Sequence, residues 1–126
     1  ENLDIQASQS SPAIRADVAS GTLAMKGDSY PENSYEFFAP VIAWLDGMIN
    51  GSDQPIHLQL RLMYMNTSSV KAMMDILDML EESHTERGRE VTVDWYYDPL
   101  NERVVEMIEE FQEDCSFPFR VLPESS

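Results

Sequence analysis

Two stretches of the chain alternate strictly between apolar and polar positions. From Ile56 to Met65, Ile, Leu and Tyr side chains occupy every second position, with His, Gln and Arg between them. Val91 to Tyr97 repeats the pattern, with Thr92 and Asp94 at polar positions. Successive side chains of a strand point to opposite faces, so both stretches are predicted to be strands with one apolar face. Helices are expected to cover such a sheet on one side only.

The N-terminal part of the chain shows the same alternation around a turn. Apolar residues occupy every second position from Ala13 to Val18 and again from Leu23 to Lys26, with Ala19-Ser20-Gly21 between them. Two alternating runs joined by a short turn containing glycine predict a β-hairpin. Residues 1–12 are polar and rich in serine, and we expect them to begin the chain as a loose arm.

A capping pattern opens the first predicted helix. Asn33 precedes Glu36 by three residues, which is the spacing of a capping box. The helix is expected to continue to about Asn50 and to stop at Gly51. Pro40 lies inside this range, where it is expected to kink the helix or to mark a later start.

Two further helices and a last strand complete the prediction. Residues 68 to about 86 are predicted to be helical, Asp98 to cap a third helix with Pro99 at its first position, and Phe117 to Leu122 to form a short strand. The element order is therefore a hairpin followed by α-β-α-β-α-β. This order predicts one α/β domain over residues 1–126, with a single mixed sheet, an N-terminal β-hairpin and three main helices on one face.

Charge narrows the classes of partner. Asp and Glu number 23 and Lys and Arg eight, which gives a formal net charge of −15. Nucleic acids and anionic membrane surfaces are bound largely through Lys and Arg. The basic residues are scattered along this chain, so neither is expected as a partner. No apolar run has the length of a membrane span, and Glu1 to Asp4 is no signal peptide, so the expected location is the cytoplasm.

Residues for metal, nucleotide or covalent chemistry do not cluster in the sequence. The two His residues, His57 and His84, and the single Cys115 lack the spacing of a zinc site. None of the five glycines belongs to a phosphate-binding loop motif. Neighbouring acids such as Glu81 and Glu82 arise easily in so acidic a chain and also provide solvated helix faces. We therefore expect no cofactor, no metal and no catalytic activity.

The segment Asn66-Thr67-Ser68-Ser69 joins the clearest strand directly to the second helix. Open α/β sheets tend to place their functional residues at the carboxyl ends of strands. One polar residue is enough to cap a helix, and turn formation could account for the others. A phosphoacceptor is the alternative, because a phosphate there would meet the positive end of the helix, with Lys71 one turn onward. Thr67 is the predicted acceptor, and Ser68 and Ser69 compete with it.

The second helix has a wider apolar surface than a surface helix needs. The expected core stripe consists of Val70, Met73, Met74, Leu77 and Leu80. The stripe is extended around one flank by Ala72, Ile76 and Met79. Either neighbouring helices bury this extra surface, which we favour, or part of it is a docking surface, for which the flexible Met side chain is suited.

Three longer stretches are distinctive: GDSYPENSYEFF at residues 27–38, LRLMYMNTSSVKAMMDILDMLEE at 60–82, and NERV with EEFQEDCSFPF at 101–104 and 109–119. They resemble the SiaC family of bacterial regulatory phosphoproteins, small domains similar in layout to the STAS-type anti-sigma factor antagonists. The resemblance covers nearly the whole chain, and a string as long as the second stretch is far more specific than a short motif.

The resemblance implies a partner-switching circuit. A dedicated Ser/Thr protein kinase would phosphorylate Thr67, and a PP2C-type phosphatase would remove the phosphate. The unphosphorylated form would bind and activate a diguanylate cyclase, which raises cyclic-di-GMP and promotes aggregation or biofilm formation. We expect the partner surface to be formed by Asp28, Tyr30, Glu32, Asn33, Asn66, Ser68, Ser69, Lys71, Ala72, Asp75, Ile76 and Met79.

Two other hypotheses remain open at this point. The chain could be a constitutive protein-binding module in which Thr67 only caps the helix. It could also be a small nucleotide-binding domain or enzyme that uses the loop from Asp28 to Ser34 as a pocket wall. The intact mass of the protein from its native cells would separate the switch from the constitutive module, and melting shifts with nucleotides would favour the third hypothesis.

Overall fold

Six strands form one mixed sheet in the computed structural model, which describes residues 1–124. The strands lie side by side in chain order: β1 (Leu3–Ile5), β2 (Ala13–Asp17), β3 (Thr22–Ser29), β4 (Ile56–Met65), β5 (Val91–Tyr97) and β6 (Phe119–Pro123). The pairs β1–β2 and β2–β3 are antiparallel, and the pairs β3–β4, β4–β5 and β5–β6 are parallel. The predicted mixed sheet with an N-terminal hairpin is confirmed. The last two residues of the predicted domain, Ser125 and Ser126, lie outside the described residues.

Helices α1 (Ser34–Gly51), α2 (Thr67–Arg87) and α3 (Arg103–Glu113) connect the parallel strands. Each crossover advances by one strand in the same direction, and such connections are right-handed, so the three helices share one face of the sheet. The strand side chains agree with this arrangement. Along β4, every second residue from Ile56 to Leu62 is buried, whereas His57, Gln59 and Arg61 are half-buried on the other face. The prediction of a sheet covered on one side is confirmed.

The prediction of a loose arm over residues 1–12 is wrong. Residues Leu3–Ile5 form the outer strand β1 and pair with β2. The following loop is held in place because the Tyr30 amide donates to the Ser10 carbonyl at 2.8 Å, and Ser11 and Pro12 are buried. A three-residue strand leaves too short an alternation for the sequence to indicate it.

Pro40 lies within an uninterrupted α1, so the alternative of a later helix start is wrong. Proline removes the amide that would bond to the carbonyl four residues earlier, that of Glu36. Both residues are exposed, and water can therefore satisfy this carbonyl.

Asp98 and Pro99 form a turn and not the predicted start of the third helix. The Asp98 carbonyl accepts a hydrogen bond from the Asn101 amide at 2.8 Å, and its carboxylate accepts one from the Leu100 amide at 2.9 Å. Proline is favoured at the second position of a β-turn as well as at the first position of a helix. The helix itself begins at Arg103.

Arg89 joins the C-terminal ends of α1 and α2. It is buried, and its guanidinium donates to Ser83 Oγ at 2.9 Å, to the Gln54 carbonyl at 2.7 Å and to the Ile49 carbonyl at 2.9 Å. The last turn of α1 has no basic residue of its own. Arg89 therefore supplies the positive charge that the C-terminal end of this helix favours.

Candidate functional site

Asn66 caps α2 at the end of β4. Its side-chain oxygen accepts a hydrogen bond from the Ser69 amide at 2.9 Å, and its carbonyl accepts one from the Val70 amide at 3.0 Å. Its own amide donates to the Ser29 carbonyl at 2.9 Å, which fixes the cap to β3. The helix therefore begins at Thr67. Its cap is provided by Asn66 and requires none of the hydroxyls of the segment.

The two serines after Thr67 bond to neighbouring elements. Ser69 is 1% exposed, and its Oγ lies 2.8 Å from Ser29 Oγ and 3.3 Å from Ser34 Oγ. Ser68 Oγ lies 2.7 Å from Ser34 Oγ. We call Ser29, Ser34, Ser68 and Ser69 the hydroxyl cluster, because together they join β3, α1 and α2. The burial of Ser69 overturns the expectation that it belongs to an exposed partner surface, and it argues against Ser69 as a phosphoacceptor.

Thr67 is exposed, as Ser68 is, but it differs from its neighbours because its hydroxyl makes no hydrogen bond within residues 1–124. Within residues 1–124, the side-chain hydrogen bonds of this segment are made by Asn66, Ser68 and Ser69. Lys71 lies one turn further along α2, with its Nζ 2.7 Å from Asp75 Oδ1. The Lys71 side chain is 69% exposed and that of Asp75 is 47% exposed, so the pair is weak and Lys71 can turn to another anion.

The N-terminal ends of α1 and α2 meet beside Thr67. Asn33 caps α1, since its Oδ1 accepts a hydrogen bond from the Glu36 amide at 3.0 Å. Ser34 is the first residue of α1, and it bonds to Ser68, the second residue of α2. The N-terminal end of a helix carries a partial positive charge. Two such ends at one place create a favourable environment for a negative charge on Thr67.

Tyrosine side chains flank the same end of the sheet. The rings of Tyr30 and Tyr64 pack edge to face with centroids 5.6 Å apart, and they remain 41% and 55% exposed. The Tyr30 hydroxyl donates to the Gln9 carbonyl at 2.7 Å. The Asp28 carboxylate accepts a hydrogen bond from the Tyr64 amide at 3.2 Å, where β3 and β4 shift register. Glu32 is exposed in the loop that follows Tyr30. At this end of the sheet, therefore, two tyrosine rings are exposed while hydrogen bonds hold the backbone around them in place.

The outer face of α2 differs from the predicted one. Ala72 and Ile76 are 7% and 0% exposed and therefore cannot contact a partner, which is a correction to the expected surface. Packing of α1 against α2 accounts for their burial, as the favoured alternative predicted. Met74 was expected in the core but is 44% exposed. The exposed face follows helical spacing and consists of Thr67, Lys71, Met74 and Asp78, with Asp75 and Met79 half-buried beside it.

Other reactive side chains serve the fold. Burial raises the pKa of the Cys115 thiol to about 12, and the carboxylates of Glu81, Asp114 and Asp78 add to this effect. Hydrogen bonds from Arg120, at 2.7 and 2.9 Å, lower the pKa of Asp94 below its ordinary value.

No group of three or more His, Cys, Asp or Glu within residues 1–124 is placed to hold a metal ion. Over the same range, no helix is long and apolar enough to cross a membrane.

The exposed Thr67 at the meeting point of two helix N-terminal ends is a place where a change of charge would alter the surface of the domain. The sequence model of the SiaC family of regulatory phosphoproteins matches residues 5–124. The chain therefore belongs to the SiaC family, as the resemblance of the three distinctive stretches predicted.

Relatives of known structure agree closely with this fold. SiaC of Pseudomonas aeruginosa is 53% identical, with a TM-score of 0.93 and coverage of 98% of this chain and 99% of that chain. A second match comes from the crystal structure of diguanylate cyclase SiaD in complex with its activator SiaC from P. aeruginosa. It is 56% identical, with a TM-score of 0.94 and coverage of 97% and 99%. An uncharacterised protein of P. aeruginosa strain UCBPP-PA14 is 57% identical over 120 residues, which are 95% of this chain and 94% of that protein.

Proposed function

We propose that the unphosphorylated chain binds and activates a diguanylate cyclase in the cytoplasm and that phosphorylation of Thr67 abolishes this binding. A Ser/Thr protein kinase adds the phosphate and a PP2C-type phosphatase removes it. The chain acts by binding, without catalytic turnover of its own, and in this way promotes cyclic-di-GMP signalling and aggregation or biofilm formation. The observation that carries the proposal is the exposed Thr67 beside the N-terminal ends of α1 and α2, whose hydroxyl makes no hydrogen bond within residues 1–124.

The cyclase part of the proposal rests on the relative that was crystallised with one. That relative is named as the activator of the diguanylate cyclase SiaD, and it is 56% identical to this chain over 97% of its length. Identity at this level comes with the same fold, as the TM-score of 0.94 shows. We therefore assign the same kind of partner to this chain.

The proposed cyclase-binding surface lies on both sides of Thr67. It consists of Tyr30 and Tyr64 from the sheet end and Lys71 and Met74 from α2, all of which are exposed. Aromatic and Met side chains are enriched in the centres of protein interfaces. Asp28, Glu32 and Asn33 would form the polar rim, with Asn66, Ser68, Asp75 and Met79 at its edges.

A phosphate on Thr67 would act on this surface and not on the fold. It adds about −1.5 to −2 charges. In the free protein the phosphate is hydrated and meets two helix N-terminal ends, which offset part of its repulsion by neighbouring acids. In the complex it would be buried, and Lys71, which pairs with Asp75, would offset only part of its charge, so the burial costs several kcal/mol. Because each 1.4 kcal/mol is a factor of ten in affinity, binding is lost while the domain remains folded.

Substitutions on α2 test this proposal with purified cyclase. Thr67→Ala should bind and activate the cyclase as the unmodified chain does, and kinase treatment should not change this. Thr67→Asp should weaken binding, although a single carboxylate imitates a phosphate imperfectly. Thr85→Asp is the matched control, because Thr85 is exposed on α2 near its opposite end. Equal binding of Thr67→Asp and Thr85→Asp, together with kinase-sensitive binding of Thr67→Ala, would refute Thr67 as the control point.

A further inference from the structure

The large apolar side chains that remain exposed within residues 1–124 all lie toward one edge of the molecule. They are Tyr30, Tyr35, Met63, Tyr64, Met74 and Leu100. Four of them lie at or close to the carboxyl ends of β3, β4 and β5, and the other two lie in the first halves of α1 and α2, which begin at the same edge. None of these side chains lies in the loops at the opposite edge, where the helices end. Apolar residues that are exposed singly are ordinary, whereas their concentration at one edge is typical of an interaction surface.

Leu100 is the most exposed of these residues, at 94%. It lies in the turn between β5 and α3. The Asp98 carboxylate accepts a hydrogen bond from the Leu100 amide at 2.9 Å, and the Asp98 carbonyl accepts one from the Asn101 amide at 2.8 Å. Pro99 restricts the backbone between them. A side chain presented by such an ordered turn loses little conformational freedom when a partner binds it.

The fold gives no reason for a leucine at this position. The apolar residues that pack α3 against the sheet are Val104, Ile108 and Phe111, which are buried. Leu100 does not belong to the apolar core formed by the described residues. Polar residues and glycine are the ones that favour turns. A contact outside the chain therefore accounts for Leu100 better than the stability of the turn does.

The Leu100 turn is continuous with the proposed cyclase-binding surface. Met63 and Asp98 line one cavity of about 350 Å³ beside the carboxyl ends of β4 and β5. Met63 precedes Tyr64, whose ring contacts that of Tyr30. The loops that follow β4 and β5 are neighbours because these two strands pair with each other. A partner that covers the two tyrosines can therefore also reach Leu100.

We propose that Leu100 anchors the bound cyclase by inserting its side chain into an apolar recess of that protein. The inference rests on the proposed function, because it takes the diguanylate cyclase as the occupant. It extends the binding surface from α2 across the edge of the sheet to the turn between β5 and α3. Aliphatic side chains that become fully buried at an interface contribute strongly to affinity, because their whole apolar surface leaves water.

Calorimetry with purified cyclase tests the proposal. Leu100→Ala should weaken binding about tenfold to 50-fold, because most of the buried apolar surface is lost. Leu100→Met keeps an apolar side chain of similar volume and should bind within about fivefold of the unmodified chain. Leu100→Asn has a similar shape but a polar end and should bind as weakly as Leu100→Ala. Thr85→Ala shortens an exposed side chain near the opposite end of α2 and should leave the affinity unchanged.

Two further measurements separate a direct contact from an effect on the fold. The melting temperature of Leu100→Ala should change by less than about 2 °C, because a side chain that is 94% exposed makes few contacts within the chain. A photoreactive benzophenone side chain introduced at position 100 should cross-link to the cyclase, whereas the same group at position 85 should not.

Three results would overturn the proposal. The first is binding of Leu100→Ala within about twofold of that of the unmodified chain. The second is equal binding of the Met and Asn variants, which would show that the apolar character of position 100 does not matter. The third is self-association of the chain that Leu100→Ala abolishes, which would assign the turn to a second copy.

Phosphorylation of Thr67 in the same assay distinguishes this proposal from the switch. The phosphate should weaken cyclase binding of the Leu100→Ala chain further. If the phosphate has no effect while Leu100→Ala binds weakly, the switch is wrong and the anchor stands. If the phosphate abolishes binding while Leu100→Ala binds normally, only the anchor is wrong. Absence of binding by the unmodified chain would refute the cyclase as partner and both proposals with it.

Discussion

Removal of the Ser69 hydroxyl should destabilise the fold more than removal of its partner at Ser29. The two hydroxyls lie 2.8 Å apart and are 1% and 0% exposed. A hydrogen bond contributes about 0.5–1.5 kcal/mol net, and a buried group left unpaired costs about 1–3 kcal/mol. Ser69→Ala leaves Ser29 unpaired, so we expect a loss of about 2 kcal/mol. Ser29→Ala leaves Ser69 bonded to Ser34 and should cost only about 1 kcal/mol.

Urea unfolding of the two single variants and the double variant measures this coupling. The double variant removes both hydroxyls and leaves no unpaired partner, so it should cost about 2 kcal/mol, less than the sum of the single losses. The slope of the unfolding free energy against urea concentration should stay unchanged, because each variant exposes the same surface when it unfolds. Ser68→Ala removes a bond at an exposed position and should cost only about 0.5–1 kcal/mol, because Ser34 keeps its contact with Ser69.

Additive single losses would refute the reasoning. A loss for Ser68→Ala equal to that for Ser69→Ala would refute it as well. The first result would mean that the Ser29 and Ser69 hydroxyls are not coupled, and the second would mean that exposure of Ser68 does not reduce the contribution of its bond to Ser34.

Three further predictions concern groups outside the switch site. Arg89→Met should cost about 3–5 kcal/mol in urea unfolding because it leaves several buried acceptors unpaired. Arg87→Met, at an exposed residue with one bond to the Ile49 carbonyl, should cost less than about 1 kcal/mol. Arg120→Gln should lower the melting temperature at neutral pH but not in acid. The reason is that stabilisation from the lowered pKa of Asp94 is present above the pKa of the unfolded carboxyl and is lost as the pH falls through the folded pKa. Iodoacetamide should alkylate Cys115 in the folded chain about 1,000-fold more slowly than an ordinary thiol at pH 8, because its pKa is about 12 in place of 9.0. Equal rates in the folded and urea-unfolded chain would contradict this.

Local patterns were sufficient to predict most elements of the fold. In the strand from Ile56 to Met65 and in the helix that follows Asn66, apolar residues recur with the period of the element, and most of the residues so spaced are the buried ones. Asp98 and Pro99 misled the prediction because the same two residues suit a turn and a helix start. The strand at Leu3 has too few residues to show a period.

The candidate site depended on contacts between distant parts of the chain. Sequence reasoning selected Thr67 from a row of polar residues, but it ranked Ser68 and Ser69 only slightly lower. Ser69 bonds to Ser29, which is 40 residues away, and that contact exists only once β3, α1 and α2 have packed. The exposure of Met74 has a similar cause, since it depends on which side of α2 its neighbours cover.

The most direct test of the central claim is calorimetry of cyclase binding with the chain stoichiometrically phosphorylated on Thr67. We predict that the phosphate weakens binding at least 100-fold, or about 2.7 kcal/mol. The melting temperature of the free chain should change by less than about 2 °C, because the phosphate acts on the interface and not on the fold. Unchanged affinity for the phosphorylated chain would contradict the account.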